Sequence, residues 1–174
     1  MKLYGKRICV VGCGSVGTEC SKRFKAFGCY VIGVELLPQR DEYYERIVGL
    51  KDLDTELPSA DVVVLTLPLT DESRHITNAE KLDLLKDSSV LVNIAREAVV
   101  DTDSLVKCVD RIGGAVLDVF EKEPLDADNL LWIKENVVLI PHNSLWVRGN
   151  GNRLSKVIID NLILEVEPQC LKIN

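Results

Sequence analysis

The sequence has little of what marks several classes of protein. It carries two histidines in 174 residues and no Cys-x-x-Cys pair, so a structural zinc site is not expected. No apolar run approaches the roughly 20 residues of a membrane span, and the apolar stretch that ends at Gly12 is too short for a signal-peptide core. Acidic residues outnumber basic ones by 27 to 21, which gives a net charge of −6 and argues against a nucleic-acid partner. We therefore expect no metal, no membrane and no nucleic acid at this chain.

What the sequence does contain is typical of one globular domain. Hydrophobic residues make up 47% and charged residues 28%, and a chain of this length can bury a substantial core. The six cysteines are interpreted as small buried hydrophobes in a reducing compartment, which predicts a cytoplasmic protein. Cys13 differs because it lies in a glycine turn, where a redox role stays open.

Short apolar runs alternate with stretches of helical pattern along the chain. The runs are rich in β-branched residues and do not alternate with polar ones, which is typical of parallel strands covered on both faces. They comprise residues 8–11, 30–34, 62–67, 90–94, 114–117 and 137–140, and the helices are expected at 16–27, about 50–57, 79–85, 102–109 and about 152–166. The pattern predicts an α/β fold with a Rossmann-type doubly wound parallel sheet, a single three-layer domain spanning residues 1–174.

A glycine motif follows the first predicted strand. Gly12-Cys13-Gly14-Ser15-Val16-Gly17 fits the pattern G-x-G-x-x-G. Gly12 permits a tight turn, Gly14 lets a pyrophosphate approach the backbone, and Gly17 lets the helix pack on the strand. The free N–H groups of the helix, from Ser15 and Val16 onward, would face the phosphates. Because a strand precedes the motif and a helix follows it, we expect a dinucleotide site.

An acidic residue closes the second predicted strand. A carboxylate at Glu35 can accept hydrogen bonds from both hydroxyls of an adenosine ribose and would repel a 2′-phosphate. The sequence therefore predicts NAD as the cofactor. Two alternatives stay open: Glu35 is merely an exposed residue that starts a loop, or nearby Arg40 and Arg46 accommodate NADP.

Three further strand ends carry reactive side chains. Arg96, just after the fourth predicted strand, could hold a carboxylate or carbonyl with two hydrogen bonds, or form a structural ion pair with a nearby acid. His142 follows the last strand and is typical of an acid/base residue. Its carboxylate partner, judged by spacing, could be Asp118, Glu121 or Glu123. The other histidine, His75, is interpreted as a loop or helix-cap residue.

With these segments in view, the chain resembles the nucleotide-binding domain of the D-isomer-specific 2-hydroxyacid dehydrogenases. The resemblance covers residues 1 to about 166. It is carried by Leu3-Tyr4-Gly5-Lys6 with the glycine motif, Leu67-Pro68-Leu69-Thr70-Asp71-Glu72-Ser73-Arg74-His75, residues 93–101, residues 117–125 and Pro141-His142-Asn143-Ser144.

The resemblance implies a catalytic set and a cofactor site. The catalytic arginine, glutamate and histidine of the family fall on Arg96, Glu123 and His142, so the resemblance selects Glu123 as the partner of His142. The reaction implied is hydride transfer between NAD(H) and C2 of a D-2-hydroxy acid or 2-oxo acid. The resemblance places the cofactor against the glycine motif (Gly12, Gly14, Ser15, Val16 and Gly17), Glu35, Leu67, Pro68, Ile94, Ala95, Arg96, Asp118 and His142.

Three departures from the family pattern shape the functional expectation. Glu97 stands where glycine usually follows the arginine, and Asn143-Ser144-Leu145-Trp146 replaces the usual small residues after the histidine. The substrate-binding domain of the family is not represented, so weak or no turnover is expected from this chain by itself. The alternative function is a non-catalytic, NAD-sensing regulatory module of the corepressor kind. The resemblance also implies a homodimer formed through the nucleotide domain and a small 2-hydroxy or 2-oxo acid as substrate.

Overall fold

A computed structural model describes residues 2–143 together with residues 155, 156 and 159. The chain divides into two compact units, Met1–Pro141 and His142–Asn174. The sheet belongs to the first unit. Ser155, Lys156 and Ile159 are helical, while Trp146 and the rest of the helix predicted at 152–166 lie outside the described residues.

A parallel sheet of seven strands runs through residues 2–143. The strands are β1 (Arg7–Val11), β2 (Tyr30–Glu35), β3 (Arg46–Gly49), β4 (Val62–Leu65), β5 (Val90–Asn93), β6 (Gly114–Leu117) and β7 (Val137–Leu139). Their order in the sheet is β3-β2-β1-β4-β5-β6-β7, and every neighbouring pair is parallel. The strand order therefore reverses direction between β1 and β4, which is the switch point of a doubly wound sheet.

The two faces of the sheet bury separate sets of side chains. Along β1, Ile8 and Val10 belong to one core cluster, and Cys9 and Val11 belong to the other. Because successive side chains of a strand point to opposite faces, each cluster fills one side of the sheet. The predicted three-layer α/β fold is confirmed, and burial on both faces explains the unbroken apolar runs of the central strands.

Four α-helices lie in the same range: α1 (Ser15–Ala26), α2 (Leu53–Glu56), α3 (Ala79–Asp83) and α4 (Thr102–Cys108). Helix α2 is flanked by the 3-10 turns Leu50–Asp52 and Leu57–Ser59. Helix α4 begins at the polar signal in the sequence, where the side chain of Asp101 accepts a hydrogen bond from the Ser104 N–H at 3.1 Å. No helix among the described residues is long and apolar enough to cross a membrane.

Strand β3 is the one strand among residues 2–143 that was not predicted from the sequence. It has four residues, lies at the edge of the sheet, and leaves each of its side chains at least partly exposed. An edge strand needs no buried apolar run, so Arg46–Gly49 lacks the pattern that identifies the central strands.

Candidate functional site

Most of the predicted site residues of the first unit follow the carboxyl ends of its strands. In a parallel sheet all carboxyl ends lie on the same edge, and ligands bind beyond them at the switch point. The glycine motif follows β1, Glu35 ends β2, and Thr66 to Pro68 follow β4. Ile94 to Arg96 follow β5 and Asp118 follows β6, so these segments are neighbours in the sheet order.

The three glycines of the motif meet different surroundings. Gly12 has a φ of 97°, and a Cβ there would lie 2.6 Å from the backbone N of Leu67. A Cβ on Gly17 would lie 2.0 Å from the carbonyl oxygen of Gly12, so helix α1 crosses β1 at a distance that only glycine allows. A Cβ on Gly14 would meet nothing within 4 Å. Gly12 and Gly17 are thus demanded by the fold itself, whereas Gly14 borders open space.

Helix α1 starts at this open space. Gly14 caps the helix with extended backbone, and no side chain bonds to the first turn. Ser15 and Val16 open the helix and are both exposed, and no acidic residue lies in the first turn. The first N–H groups of a helix have no partner within the helix, and its dipole is positive at that end. The geometry therefore fits a phosphate group beside Gly14.

The carboxylate of Glu35 is bound to the glycine motif. Its Oε2 accepts a hydrogen bond from the Cys13 N–H at 2.7 Å, and its Oε1 accepts one from the Leu36 N–H at 2.8 Å. Glu35 is half-buried, so it is not simply the exposed start of a loop. A cavity of about 380 Å³ opens beside it, bordered by Cys13, Gly14, Leu37 and Arg40 among others.

The two nearby arginines lie in different environments. Arg46, on β3, donates to both carboxylate oxygens of Glu56 at 2.7 and 3.0 Å, and Glu56 is buried. Arg40 borders the cavity next to Glu35. Arg46 is thus held by a structural ion pair, and Arg40 is the arginine at the candidate nucleotide cavity.

The segment after β4 forms the other wall of the crevice. Leu67 is buried and Pro68 is exposed, and both border a smaller cavity of about 90 Å³ together with Gly12 and Glu35. The side chain of Thr66 donates to the carbonyl oxygen of Gly12 at 2.6 Å. Sequence analysis missed this residue, although a hydroxyl at the end of an apolar run is the signal that could have identified it.

Asn93 organises the segment that carries Arg96. It is fully buried, and its Oδ1 accepts a hydrogen bond from the Ala95 N–H at 3.1 Å. Its backbone carbonyl accepts one from the Asp118 N–H at 3.0 Å, so one residue fixes two strand ends. Asn93 was not predicted as a site residue.

Arg96 projects from this segment into solvent. It is exposed, and its guanidinium donates to the carbonyl oxygen of Ala95 at 2.7 Å. Among residues 2–143, no acidic side chain forms an ion pair with Arg96, so the structural ion pair considered from the sequence is not found there. Glu97, the departure from the family pattern, opens the 3-10 turn Glu97–Val99 and is half-buried.

The loop after β6 carries the three carboxylates that spacing left as candidates. Asp118 is buried, whereas Glu121 and Glu123 are exposed. Oε1 of Glu123 accepts a hydrogen bond from the Phe120 N–H at 3.1 Å. Glu121 instead lies 2.5 Å from Nε2 of His75, a contact that the sequence analysis did not foresee.

His142 is the first residue of the second unit. It is exposed and has a φ of 47°, an unusual backbone conformation for a residue other than glycine. That His142 joins Arg96 and Glu123 in one catalytic set stays a prediction from the family pattern. Ser144, which follows in the same motif, lies outside the described residues.

Cys13 is a protonated thiol at neutral pH. Burial is the main cause that raises its pKa to about 11, and the nearby carboxylates of Glu35 and Asp41 add to the effect. A Cβ on Gly33 would lie 2.5 Å from its sulfur, so Cys13 fills space over β2. The described cysteines, at positions 9, 13, 20, 29 and 108, are all free thiols. No cluster of three metal-ligating side chains occurs among the described residues.

Comparison with known proteins agrees with this geometry. Residues 1–144 match the family described as D-isomer specific 2-hydroxyacid dehydrogenase, NAD binding domain. A glyoxylate reductase of Pyrococcus horikoshii is 38% identical over 163 residues, which are 92% of this chain and 48% of that protein. A glyoxylate/hydroxypyruvate reductase of Arabidopsis thaliana is 39% identical over 167 residues, 92% of this chain and 49% of that protein. The chain thus spans about half the length of the curated relatives it matches.

Solved structures show the same likeness. A D-isomer specific 2-hydroxyacid dehydrogenase family protein from Aeromonas salmonicida superposes with a TM-score of 0.87 at 30% identity, over 97% of this chain and 54% of that one. A D-isomer specific 2-hydroxyacid dehydrogenase from Xanthobacter autotrophicus, crystallised with NADPH and MES, gives 0.75 at 36% identity, over 79% of this chain and 44% of that one. The fold, the glycine motif and these matches together establish that the chain belongs to the NAD-binding domain family of the D-isomer specific 2-hydroxyacid dehydrogenases.

Proposed function

We propose that this chain is the cofactor-binding part of an oxidoreductase that transfers a hydride between NAD(H) and C2 of a D-2-hydroxy acid or its 2-oxo acid. The observation that carries the proposal is the contact between Glu35 and the glycine motif. One carboxylate oxygen of Glu35 accepts a hydrogen bond from the Cys13 N–H. Glu35 also borders a cavity that reaches Gly14, the residue that caps helix α1. A dinucleotide needs these elements together: an acid for the ribose, an unobstructed backbone and a helix N-terminus for the pyrophosphate.

NAD rather than NADP is the cofactor that the cavity favours. The carboxylate of Glu35 would repel a phosphate on the ribose 2′ position. Arg46, one of two residues that could compensate, is committed to Glu56. Arg40 remains at the cavity, and relatives from Xanthobacter autotrophicus and Rhizobium etli were crystallised with NADPH and NADP, so titration with both cofactors tests the preference.

The chemical step would use Arg96, Glu123 and His142. When bound, the nicotinamide supplies or accepts the hydride. Arg96 would hold the carboxylate of the substrate and polarise the substrate carbonyl. Its guanidinium is exposed and forms no ion pair with an acid of residues 2–143, so both interactions are open to it. His142 would give its proton to the developing alkoxide in reduction and take the hydroxyl proton in oxidation. Glu123 would orient the imidazole and favour its charged form. Asp118 would contact the nicotinamide.

Small 2-oxo acids such as glyoxylate and hydroxypyruvate are the substrates we propose, because relatives are named for reducing them. The second wall of the substrate cleft would come from the part of the relatives that this chain does not match.

We also propose a homodimer formed through the nucleotide domain, which light scattering would test. The free thiols of the described cysteines favour the cytoplasm as the compartment.

Calorimetric titration with NADH and NADPH tests the proposal directly. We expect the chain to bind NADH more tightly than NADPH. Glu35→Gln should weaken NADH binding about tenfold and leave NADPH binding unchanged or stronger, because a charged acceptor is lost while a repulsion disappears. Glu135→Gln removes the same charge at an exposed position before β7 and is the matched control. An absence of binding at millimolar dinucleotide would refute the proposed function.

A further inference from the structure

One carboxylate links three segments around the proposed catalytic residues. Oε1 of Glu121 lies 2.5 Å from Nε2 of His75, and its Oε2 accepts a hydrogen bond from the Thr102 N–H at 2.9 Å. Glu121 lies in the loop after β6, His75 in the segment after β4, and Thr102 at the start of α4. The described structure thus joins these segments through a single side chain.

The backbone of His75 is anchored on the opposite side. Its N–H donates to the carbonyl oxygen of Ala98 at 2.7 Å, and the Thr77 N–H donates to that of Val99 at 3.2 Å. Thr77 also forms a parallel bridge with Val100. These partners lie two to four residues after Arg96, and residues 94–100 are called the Arg96 segment here. His75 therefore has its backbone bound to the Arg96 segment and its side chain bound to the loop that carries Glu123.

The conformation of His75 indicates that this arrangement is held in place. Its φ is 48°, a left-handed conformation that costs an L-residue free energy and persists where surrounding contacts offset that cost. The hydrogen bonds of its N–H and its ring supply such fixation. The interpretation of His75 from sequence, a loop or helix-cap residue, did not include this role.

We propose that His75 and Glu121 are positioning residues that hold the Glu123 loop, residues 118–125, in register with the Arg96 segment. The inference rests on the proposed function, because it assumes that Arg96, Asp118 and Glu123 serve the nicotinamide and the substrate. Glu123 lies two residues from Glu121, and its carboxylate bonds within the loop to the Phe120 N–H. Glu121 thus bonds the middle of the loop to His75 and Thr102, while the hydrogen bond from the Asp118 N–H to the Asn93 carbonyl oxygen anchors the start of the loop.

The electrostatics of Glu121 agree with this role. Partial burial, the largest single effect, raises the pKa of its carboxyl, but the hydrogen bonds from Thr102 and His75 outweigh it, and the net pKa lies below the usual value. Asp101, at the start of α4, also interacts electrostatically with His75. The side chains of His75 and Glu121 are 41% and 30% exposed, so the contact is moderate in strength.

The position of the link predicts a selective effect on ligands. Residues 118–125 would border the nicotinamide end of the cofactor, whereas Gly14 and Glu35 would border the adenosine and pyrophosphate end. ADP-ribose contains only the second end. His75→Ala should therefore weaken NADH binding about fivefold and leave ADP-ribose binding unchanged.

Conservative variants separate positioning from general damage. His75→Gln keeps an N–H donor near the place of Nε2 and should restore NADH binding to within about twofold of the original chain. Combining His75→Ala with Glu121→Ala should cost no more than Glu121→Ala alone, because both changes remove the same contact. Lys122→Ala, which breaks an exposed ion pair with Asp126 in the same loop, is the matched control and should change neither ligand.

Hydrogen exchange of the loop tests the inference without any ligand. Exchange of residues 118–125 should rise in His75→Ala and return in His75→Gln, while β1 and β4 remain protected. Unchanged exchange in the alanine variant, or an equal loss of NADH and ADP-ribose binding, would overturn the positioning role. Failure of the original chain to bind either ligand would instead refute the proposed function, and the exchange result would still decide whether Glu121 holds the loop.

Discussion

Alanine substitutions at Gly14 and Gly17 should separate folding from cofactor binding. Both glycines belong to the same motif, and both substitutions add one methyl group. A Cβ at position 17 would lie 2.0 Å from the carbonyl oxygen of Gly12, whereas a Cβ at position 14 would meet nothing within 4 Å. The added methyl group therefore collides with backbone at position 17 and enters open space at position 14.

The cost of Gly17→Ala follows from that distance. Real Cβ atoms essentially never approach another heavy atom closer than 3.0 Å, so helix α1 and β1 must separate by about 1 Å or more. Forcing additional volume into a packed site costs about 1–3 kcal/mol, and the obstructing group here is backbone, which cannot rotate away. We expect the upper end, about 3 kcal/mol, which lowers Tm by about 6–12 °C for a chain of this size.

Gly14→Ala should leave stability within about 1 kcal/mol of the original chain. Gly14 has a φ of −69°, which alanine adopts freely. Alanine is a poorer helix N-cap than glycine, but it also restricts the unfolded chain, and the two effects are of similar size and opposite sign. The methyl group would nevertheless occupy the space where a pyrophosphate has to approach, so NADH affinity should fall at least tenfold.

Thermal unfolding followed by circular dichroism, with NADH titration of each folded variant, provides the assay. We expect a lowered Tm for Gly17→Ala and a normal Tm with lost binding for Gly14→Ala. Normal NADH binding by Gly14→Ala would refute the assignment of the pyrophosphate to this loop. A normal Tm for Gly17→Ala would show that the contact between α1 and β1 is not as close as described.

Two further predictions concern side chains whose pKa departs from its usual value. Burial raises the pKa of Asp61, but hydrogen bonds from Lys86, the Arg7 N–H and Lys6 outweigh it and bring the pKa to about 2, against 3.8 for the free side chain. At about 1.4 kcal/mol per pKa unit, this difference contributes about 2.5 kcal/mol to the free energy of unfolding, present above pH 4 and lost as the pH falls toward 2. Asp61→Asn should therefore flatten the acid limb of the stability curve measured by urea unfolding, and parallel curves for the two chains would contradict the assignment. Cys13, with a pKa of about 11 against 9.0, should react with iodoacetamide at pH 8 about a hundredfold more slowly than in the urea-unfolded chain, and equal rates by mass spectrometry would contradict its burial.

The central strands were predictable from the sequence because their burial requires runs of adjacent apolar residues. Six apolar runs marked six of the seven described strands. The central strands are apolar because they are covered on both faces, and the edge strand β7 carries an apolar run although none of its residues is fully buried. The glycine motif was predictable for a similar reason: a positive φ at Gly12 and the close approach at Gly17 exclude other residues. Strand β3, at the other edge of the sheet, has only two consecutive large apolar residues, Ile47 and Val48, and it was missed.

The contacts of the site depended on residues far apart in the chain. Thr66 supports Gly12 across 54 positions, and Glu121 meets His75 across 46. Spacing alone left Asp118, Glu121 and Glu123 equivalent as candidate partners of His142. The structure shows a contact of Glu121 with His75 that spacing did not indicate.

By itself, the sequence determined the alternation of strands and helices, the turn after β1 and the acid that ends β2, because each depends on a few adjacent residues. Only the tertiary structure decided which arginine borders the candidate nucleotide cavity, since Arg40 and Arg46 are near neighbours in sequence, but β3 places Arg46 beside Glu56. It likewise decided how the Arg96 segment and the Glu123 loop are tied together. Side-chain partners are set by the order of strands in the sheet, and that order is a property of the folded chain as a whole.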